Sequence, residues 1–261
     1  MFGGCHEEAG NCYRRLALIG TPALAADMAV KMPVKALPPP APVFSWTGCY
    51  LGGNVGGAWQ HNSTFDAVVG FDTGNDSGNG VIGGAQVGCD YQFASNWVVG
   101  VRGMLDWTDV NSSHRYLGGG SSSNETLGIK TRSVDTLTAR IGYTVWPQAL
   151  LYFQGGGAWA RIDYSDVDPS KPYDGQANTT RSGWTVGGGF EYAFLPNWSA
   201  LVEYNYINLG SRNEQLTYGC GSICVFPGYI FPNPYTFTVS HNMSEVLFGI
   251  NYRFGWLAAG H

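Results

Sequence analysis

The sequence predicts an all-β fold: an eight-stranded antiparallel up-and-down transmembrane β-barrel, with short turns at one end and long loops at the other. Three observations predict it. One hairpin of two alternating strands recurs along the chain. Only 13% of residues are charged, roughly half the share usual in a soluble domain. No apolar run in the body of the chain approaches the roughly 18 residues that a membrane-spanning helix needs.

The hairpin is clearest from Gly83 to Trp107, GGAQVGCDYQFASNWVVGVRGMLDW, with a tight turn at Ala94-Ser95-Asn96. Gly83, Ala85, Val87, Cys89, Tyr91 and Phe93 share one face, and Gln86, Gly88, Asp90 and Gln92 the other. The return strand sets Val99, Val101, Gly103, Leu105 and Trp107 against Arg102, Met104, Asp106 and Thr108. This period of two belongs to a strand with chemically different faces. The pattern recurs at Ala139–Trp159 and at Gly183–Tyr206.

Taken in order, Arg14-Arg15, the apolar run Leu16–Ala25 and the small-residue site Ala23-Leu24-Ala25 read as a signal peptide over 1–25. Residues 26–45 hold the proline cluster Pro38–Pro42, expected to be an extended periplasmic tether. The barrel is placed at 46–254, with a C-terminal tail at 255–261. Its strands begin with Trp46–Trp59 and the Gly80–Trp107 hairpin. Thr131–Trp146, Leu150–Tyr164, Trp184–Phe194, Trp198–Leu209 and a last strand near Val239–Phe254 follow. Polar connections are expected at 61–79, 110–128, 165–180 and 210–236. Strands of about a dozen residues, even in number, suit a tilted bilayer crossing.

Alternation by itself fits a soluble barrel equally well. The low charge, the export signal, the loop asymmetry and the placement of aromatic residues decide for a membrane. Trp46, Tyr91, Phe93, Trp97, Tyr143, Trp146, Tyr192, Phe194, Trp198, Tyr252 and Phe254 gather where the short turns lie, as an interfacial girdle would. A net charge of −5 with no Lys/Arg cluster argues against a nucleic-acid partner.

The stretches WTGCYLGGNVGGAW (Trp46–Trp59), GWTVGGGFEYAFLPNWSALVEYNYINLG (Gly183–Gly210) and FGINYRF (Phe248–Phe254) resemble the alphaproteobacterial outer-membrane immunogenic protein family. These are small porin-like barrels, similar in architecture to the transmembrane domain of OmpA. The resemblance covers Trp46 to Phe254. It implies a Gram-negative cell outer membrane location, contact with the lipid bilayer, lipopolysaccharide or peptidoglycan, insertion by the barrel assembly machinery, and no enzymatic activity. Family members usually stop at the terminal aromatic residue, whereas Gly255–His261 follows Phe254 here.

With the apolar face outward, Asp90, Arg102, Asp106, Arg140, Glu191, Glu203, Glu245 and Arg253 line the interior. Eight strands enclose a space that side chains can fill, and buried charges must pair. A polar plug is the reading adopted, and a narrow or gated ion path the alternative. Cys220 and Cys224 bracket three residues of the longest loop, a candidate disulfide in an exported protein. Cys49 and Cys89 fall on one face of neighbouring strands, either as a cross-link or as small lipid-facing residues. Cys5 and Cys12 leave with the signal peptide. His61 and His241 would share the loop-side rim; since some members of the family the chain resembles bind haem, the resemblance implies a candidate haem or metal site there, with polar rim residues as the plain alternative. No phosphate loop or nucleophile elbow occurs, so no catalytic residue, metal or cofactor is expected. The functional expectation is an envelope-integrity and surface-antigen role. The alternatives are a narrow porin and a loop-mediated receptor or adhesin for a host surface, haem binding included.

Overall fold

The computed structural model describes residues 44–66, 71–115, 126–167, 174–226 and 229–254. The assigned signal peptide, nearly all of the tether and the tail lie outside the described residues. Ten strands occur in chain order: β1 Gly48–Asp66, β2 Phe71–Phe93, β3 Trp97–Arg115, β4 Thr126–Trp146, β5 Ala149–Val167, β6 Gly175–Leu195, β7 Trp198–Tyr218, β8 Ile223–Phe226, β9 Tyr229–Pro232 and β10 Tyr235–Phe254. Eight of them close a barrel in the order β1-β10-β7-β6-β5-β4-β3-β2. The other two, β8 and β9, form a separate hairpin between β7 and β10. Every barrel neighbour is antiparallel, and β10 closes on β1 from Cys49↔Phe254 to Phe65↔Thr238.

Short turns join β2 to β3, β4 to β5 and β6 to β7, all at one end. Each is tied to the next strand round the barrel. The Thr144 amide donates to the Asn96 carbonyl, Ala193 to Gln148 and Arg253 to Asn197. The first turn is tight enough to hold Ala94 and Ser95 at positive φ, 47° and 66°.

The strands are longer than the sequence pattern suggested. β2 has 23 residues and β7 has 21, so much of what was expected as loop at 61–79, 165–180 and 210–236 continues the barrel. The reason lies in which face is polar. Toward the turn end, the outward side chains are apolar and the interior is charged. Toward the loop end the arrangement inverts. Outward positions there include His61, Ser63, Asn111, Arg132, Arg161, Thr180 and Arg212. The interior there gains an apolar cluster that includes Ile82, Val110, Ile129, Ile162, Leu209, Phe237, Val239 and Met243, packed beside buried polar groups such as Gln60, Asn62, Arg181 and His241. Short polar residues on an outer face read as loop when only the lower half's pattern is followed. Two irregularities hide the continuity further. The inward parity of β4 slips at Ser133-Val134, where its register with β5 shifts. That of β7 slips at Gly210, whose φ is +68°.

Candidate functional site

The site is the lumen from the turn side to mid-height. All eight interior residues read from the sequence point into it, and none is more than 6% exposed. β2 and β4 supply Asp90 and Arg140, which flank Gly100 of β3. Arg140 Nε donates to Asp90 Oδ1 at 2.8 Å, and its Nη1 to Glu191 Oε2 at 3.0 Å. Arg253 Nη1 reaches the same Asp90 at 2.9 Å and the Trp46 carbonyl at 2.7 Å. One level further in, Arg102 Nη2 bonds Glu203 Oε1 and Gln154 Oε1, both at 2.6 Å.

Neutral groups that sequence reasoning did not single out complete the network. Tyr152 Oη donates to Glu203 at 2.5 Å, and Gln154 Nε2 and Asn205 Nδ2 bond the same carboxylate. Ser199 and Asn251 serve Glu191. The Arg140 guanidinium lies 5.0 Å from the ring centres of both Tyr50 and Tyr152, a cation–π sandwich. Two glycines make room for these rings. A side chain at Gly88 would meet Tyr50 Oη at 2.5 Å, and one at Gly189 would meet Tyr152 Oη at 2.6 Å. The inward parity of Tyr152, Gln154, Asn205 and Asn251 was legible, but uncharged residues drew no attention.

Trp46 departs from the expected aromatic girdle. It is fully buried and plugs the turn-side mouth with Val98, Leu150, Tyr152 and Ala193. Its Nε1 donates to the Pro147 carbonyl at 3.2 Å, and the Arg253 guanidinium sits 5.2 Å from its ring centre. Position 46 has the parity of Tyr50, so extending the β1 alternation backward turns it inward. Tyr91, Phe93, Trp97, Tyr143, Trp146, Tyr192, Phe194, Trp198, Tyr252 and Phe254 are exposed on the outer wall. A second outward ring, missed in the sequence, is formed by Trp59, Trp107, Trp159 and Trp184, with Tyr206 5.7 Å from Trp184 between ring centres. Between the rings the wall carries Leu51, Val55, Val87, Val101, Leu105, Leu137, Ile141, Phe153 and Val202.

Beyond the second ring the outer surface turns charged. Lys130 Nζ donates to Asp109 Oδ1 at 2.8 Å and holds that carboxyl below its usual range. Arg132 pairs with Asp163. Inside, at the same height, Arg181 was also missed. It is fully buried and donates to the Val239 carbonyl at 2.7 Å, with Glu214 at 3.6 Å. It shares the inward parity of Glu191 on β6, but lies just past the segment expected as loop.

Cys49 and Cys89 face each other in register and form a disulfide on the outer wall. Cys220 and Cys224 form a second at the foot of the β8–β9 hairpin. His61 and His241 are not a pair. His61 pairs with Asn242 and faces out against Ser77, while His241 is fully buried inside. Opposite faces of one sheet cannot offer both rings to one haem or metal. Among the described residues, no group of three His, Cys, Asp or Glu side chains is placed to hold a metal ion.

A closed antiparallel barrel with an apolar outer wall and a charged interior is the architecture of an outer-membrane β-barrel. The family model and the curated relatives agree. The family model for the outer membrane protein beta-barrel domain matches residues 23–254, and the chain belongs to that family. It is 32% identical over 209 residues to the 31 kDa outer-membrane immunogenic protein of Brucella melitensis, covering 76% of this chain and 85% of that one. The 25 kDa outer-membrane immunogenic protein of Brucella abortus is 28% identical over 201 residues, 74% and 80% of the two chains. Among solved structures, the outer membrane protease OmpT of Escherichia coli is similar at 10% identity and a TM-score of 0.49, covering 82% of this chain and 99% of that one. The protein resides in the cell outer membrane, with its barrel in the lipid bilayer.

Proposed function

We propose that this protein is a closed structural barrel that contributes to envelope integrity and presents its loop end as a surface antigen, without enzymatic activity. The filled lumen carries the reading. Arg102, Arg140 and Arg253 are each buried and matched to carboxylates across the interior, and Trp46 stops the turn-side mouth. A water-filled path would leave such groups hydrated rather than paired.

The two aromatic rings act as interfacial girdles. Trp97 and Trp107 are ten residues apart on β3, which at a tilt near 40° separates them by about 25 Å, the height of an outer-membrane apolar band. Arg132, Arg161 and Arg212 then face outward just above the loop-side girdle, where anionic headgroups of lipopolysaccharide lie. Insertion uses the barrel assembly machinery, with β10 and its terminal Phe254 as the recognised strand.

The test is single-channel recording of the refolded, processed protein in a planar bilayer, with heat-modifiability on a gel proving that it folded. Folded protein is expected to be silent. Steady discrete openings would overturn the closed-barrel reading in favour of a narrow porin.

A further inference from the structure

Charge in the lumen cancels at the turn side but not at mid-height. Arg140 and Arg253 face Asp90 and Glu191, two against two. Arg102 faces Glu203. Asp106 and Glu245 are left over. Both are at least 98% buried, and among the described residues neither has an Arg or Lys partner. Asp106 Oδ1 accepts from Asn54 Nδ2 at 2.9 Å, and Glu245 Oε1 from Asn205 Nδ2 at 2.9 Å. Glu245 Oε2 is buried with no donor among the described residues. Glu245 also lies within range of the charges of Asp106 and Glu203.

Asn54 supplies the independent observation. Its side chain is about nine-tenths buried, and its Nδ2 is committed to Asp106. Turning the amide over would set its oxygen against the carboxylate, so the orientation is fixed. Asn54 Oδ1 consequently stands buried beside Asp106 with no donor. The three residues come from adjoining parts of the wall. Asn54 pairs with Gly84, which pairs with Asp106, and β10 with Glu245 lies on the other side of β1. A side chain at Gly84 would meet Asp106 Oδ1 at 2.5 Å, so glycine there lets Asp106 lie across β2 toward Asn54.

Two buried acceptors without a donor among the described residues, Asn54 Oδ1 and Glu245 Oε2, beside two carboxylates without a basic partner call for a cation. We propose that Asp106, Glu245 and the amide oxygen of Asn54 bind one hard divalent cation of the calcium type. Oxygen donors select such ions over thiophilic or imidazole-preferring metals, and calcium's loose coordination lets water supply the remaining positions. A divalent charge balances the two carboxylates. The ion links β3 to β10 across β2 and β1, at the seam where the two ends of the barrel sequence meet, and it is taken up as the barrel closes. This site does not depend on whether the lumen conducts.

The test uses the full processed barrel, refolded in detergent with calcium chloride and freed of unbound metal by gel filtration in chelator-treated buffer. Metal content is then read by atomic absorption against a heat-modifiability gel for folded protein. About one calcium per folded barrel is expected. Asp106→Asn and Glu245→Gln should each lower occupancy at least tenfold at equal free calcium, while Asp109→Asn on the outer face changes nothing. Both lumen variants remove an unmatched charge, so folded yield is expected to hold. Calcium-free wild-type protein, or variants that load like wild type, would overturn the proposal. Stabilised variants beside a metal-free wild type would show that a proton, not a cation, neutralises the pair.

Discussion

Asp90 and Arg140 meet across Gly100. The three stand in register on β2, β3 and β4, and a side chain at position 100 would collide with the Asp90 carboxylate. Two strands that are not neighbours are thereby joined through the lumen, at a point where the intervening strand contributes only backbone.

Arg140→Met should accordingly be costly. It leaves Asp90 and Glu191 to share Arg253 alone, and removing one partner of a buried ion pair costs about 3–5 kcal/mol. Ile141→Ala, one residue along and facing the bilayer, should cost far less. The urea midpoint in detergent, read by gel shift, compares the two. If the order were reversed, the charges would not be holding the barrel.

Trp46 and Trp107 should report different solvents. In protein retaining one tryptophan, the others replaced by phenylalanine, Trp107 should be quenched by lipids brominated near the headgroup. Trp46, enclosed by Leu150, Tyr152 and Val98, should not. Trp46→Ala should also destabilise the turn end by about 3–5 kcal/mol. Strong quenching of Trp46 would return it to the outer wall.

The loop-side half should weaken on acidification. His241 lies beyond the Trp59↔Ser244 level, with both ring nitrogens buried and unpartnered. Burial, and then the Arg181 charge, push its pKa down to about 3, against a smaller pull from Asp76. The unfolded chain holds this proton below about pH 6.5. Between those values the unfolded state binds more protons, so stability falls as pH falls through 6.5 toward 3. At pH 5 the deficit is about 2 kcal/mol. Denaturant midpoints at pH 8 and pH 5 measure it, and His241→Leu should remove that share of the difference.

The period-two pattern from Gly83 to Trp107 was enough to place Asp90, Arg102 and Asp106 inside and Val101 and Leu105 outside, because parity is a property of a single strand. The same parity, carried three residues back from the expected strand at Trp184 and four back from Tyr50, turns Arg181 and Trp46 inward. Arg181 was missed because it lay at an expected loop boundary, and Trp46 was assigned to the outer girdle because it is aromatic and lies at the turn end, although its parity is inward. The second aromatic ring was missed for a different reason. Trp59, Trp107, Trp159 and Trp184 lie on four strands, and nothing local says that they share a height.

The sequence by itself determined the barrel, the hairpin order and which face of each strand is apolar toward the turn end, since alternation, turns and composition are written along the chain. Only the tertiary structure decided which charge meets which. Closure sets the shear between strands, and that shear brings Arg140 to Asp90, Arg102 to Glu203, and leaves Asp106 and Glu245 without a counter-ion. It also decided that the loop-side half carries polar residues on its outer face and an apolar cluster, mixed with buried polar groups, inside. There the barrel has passed beyond the second aromatic ring, where water replaces lipid outside and the apolar residues are driven into the interior.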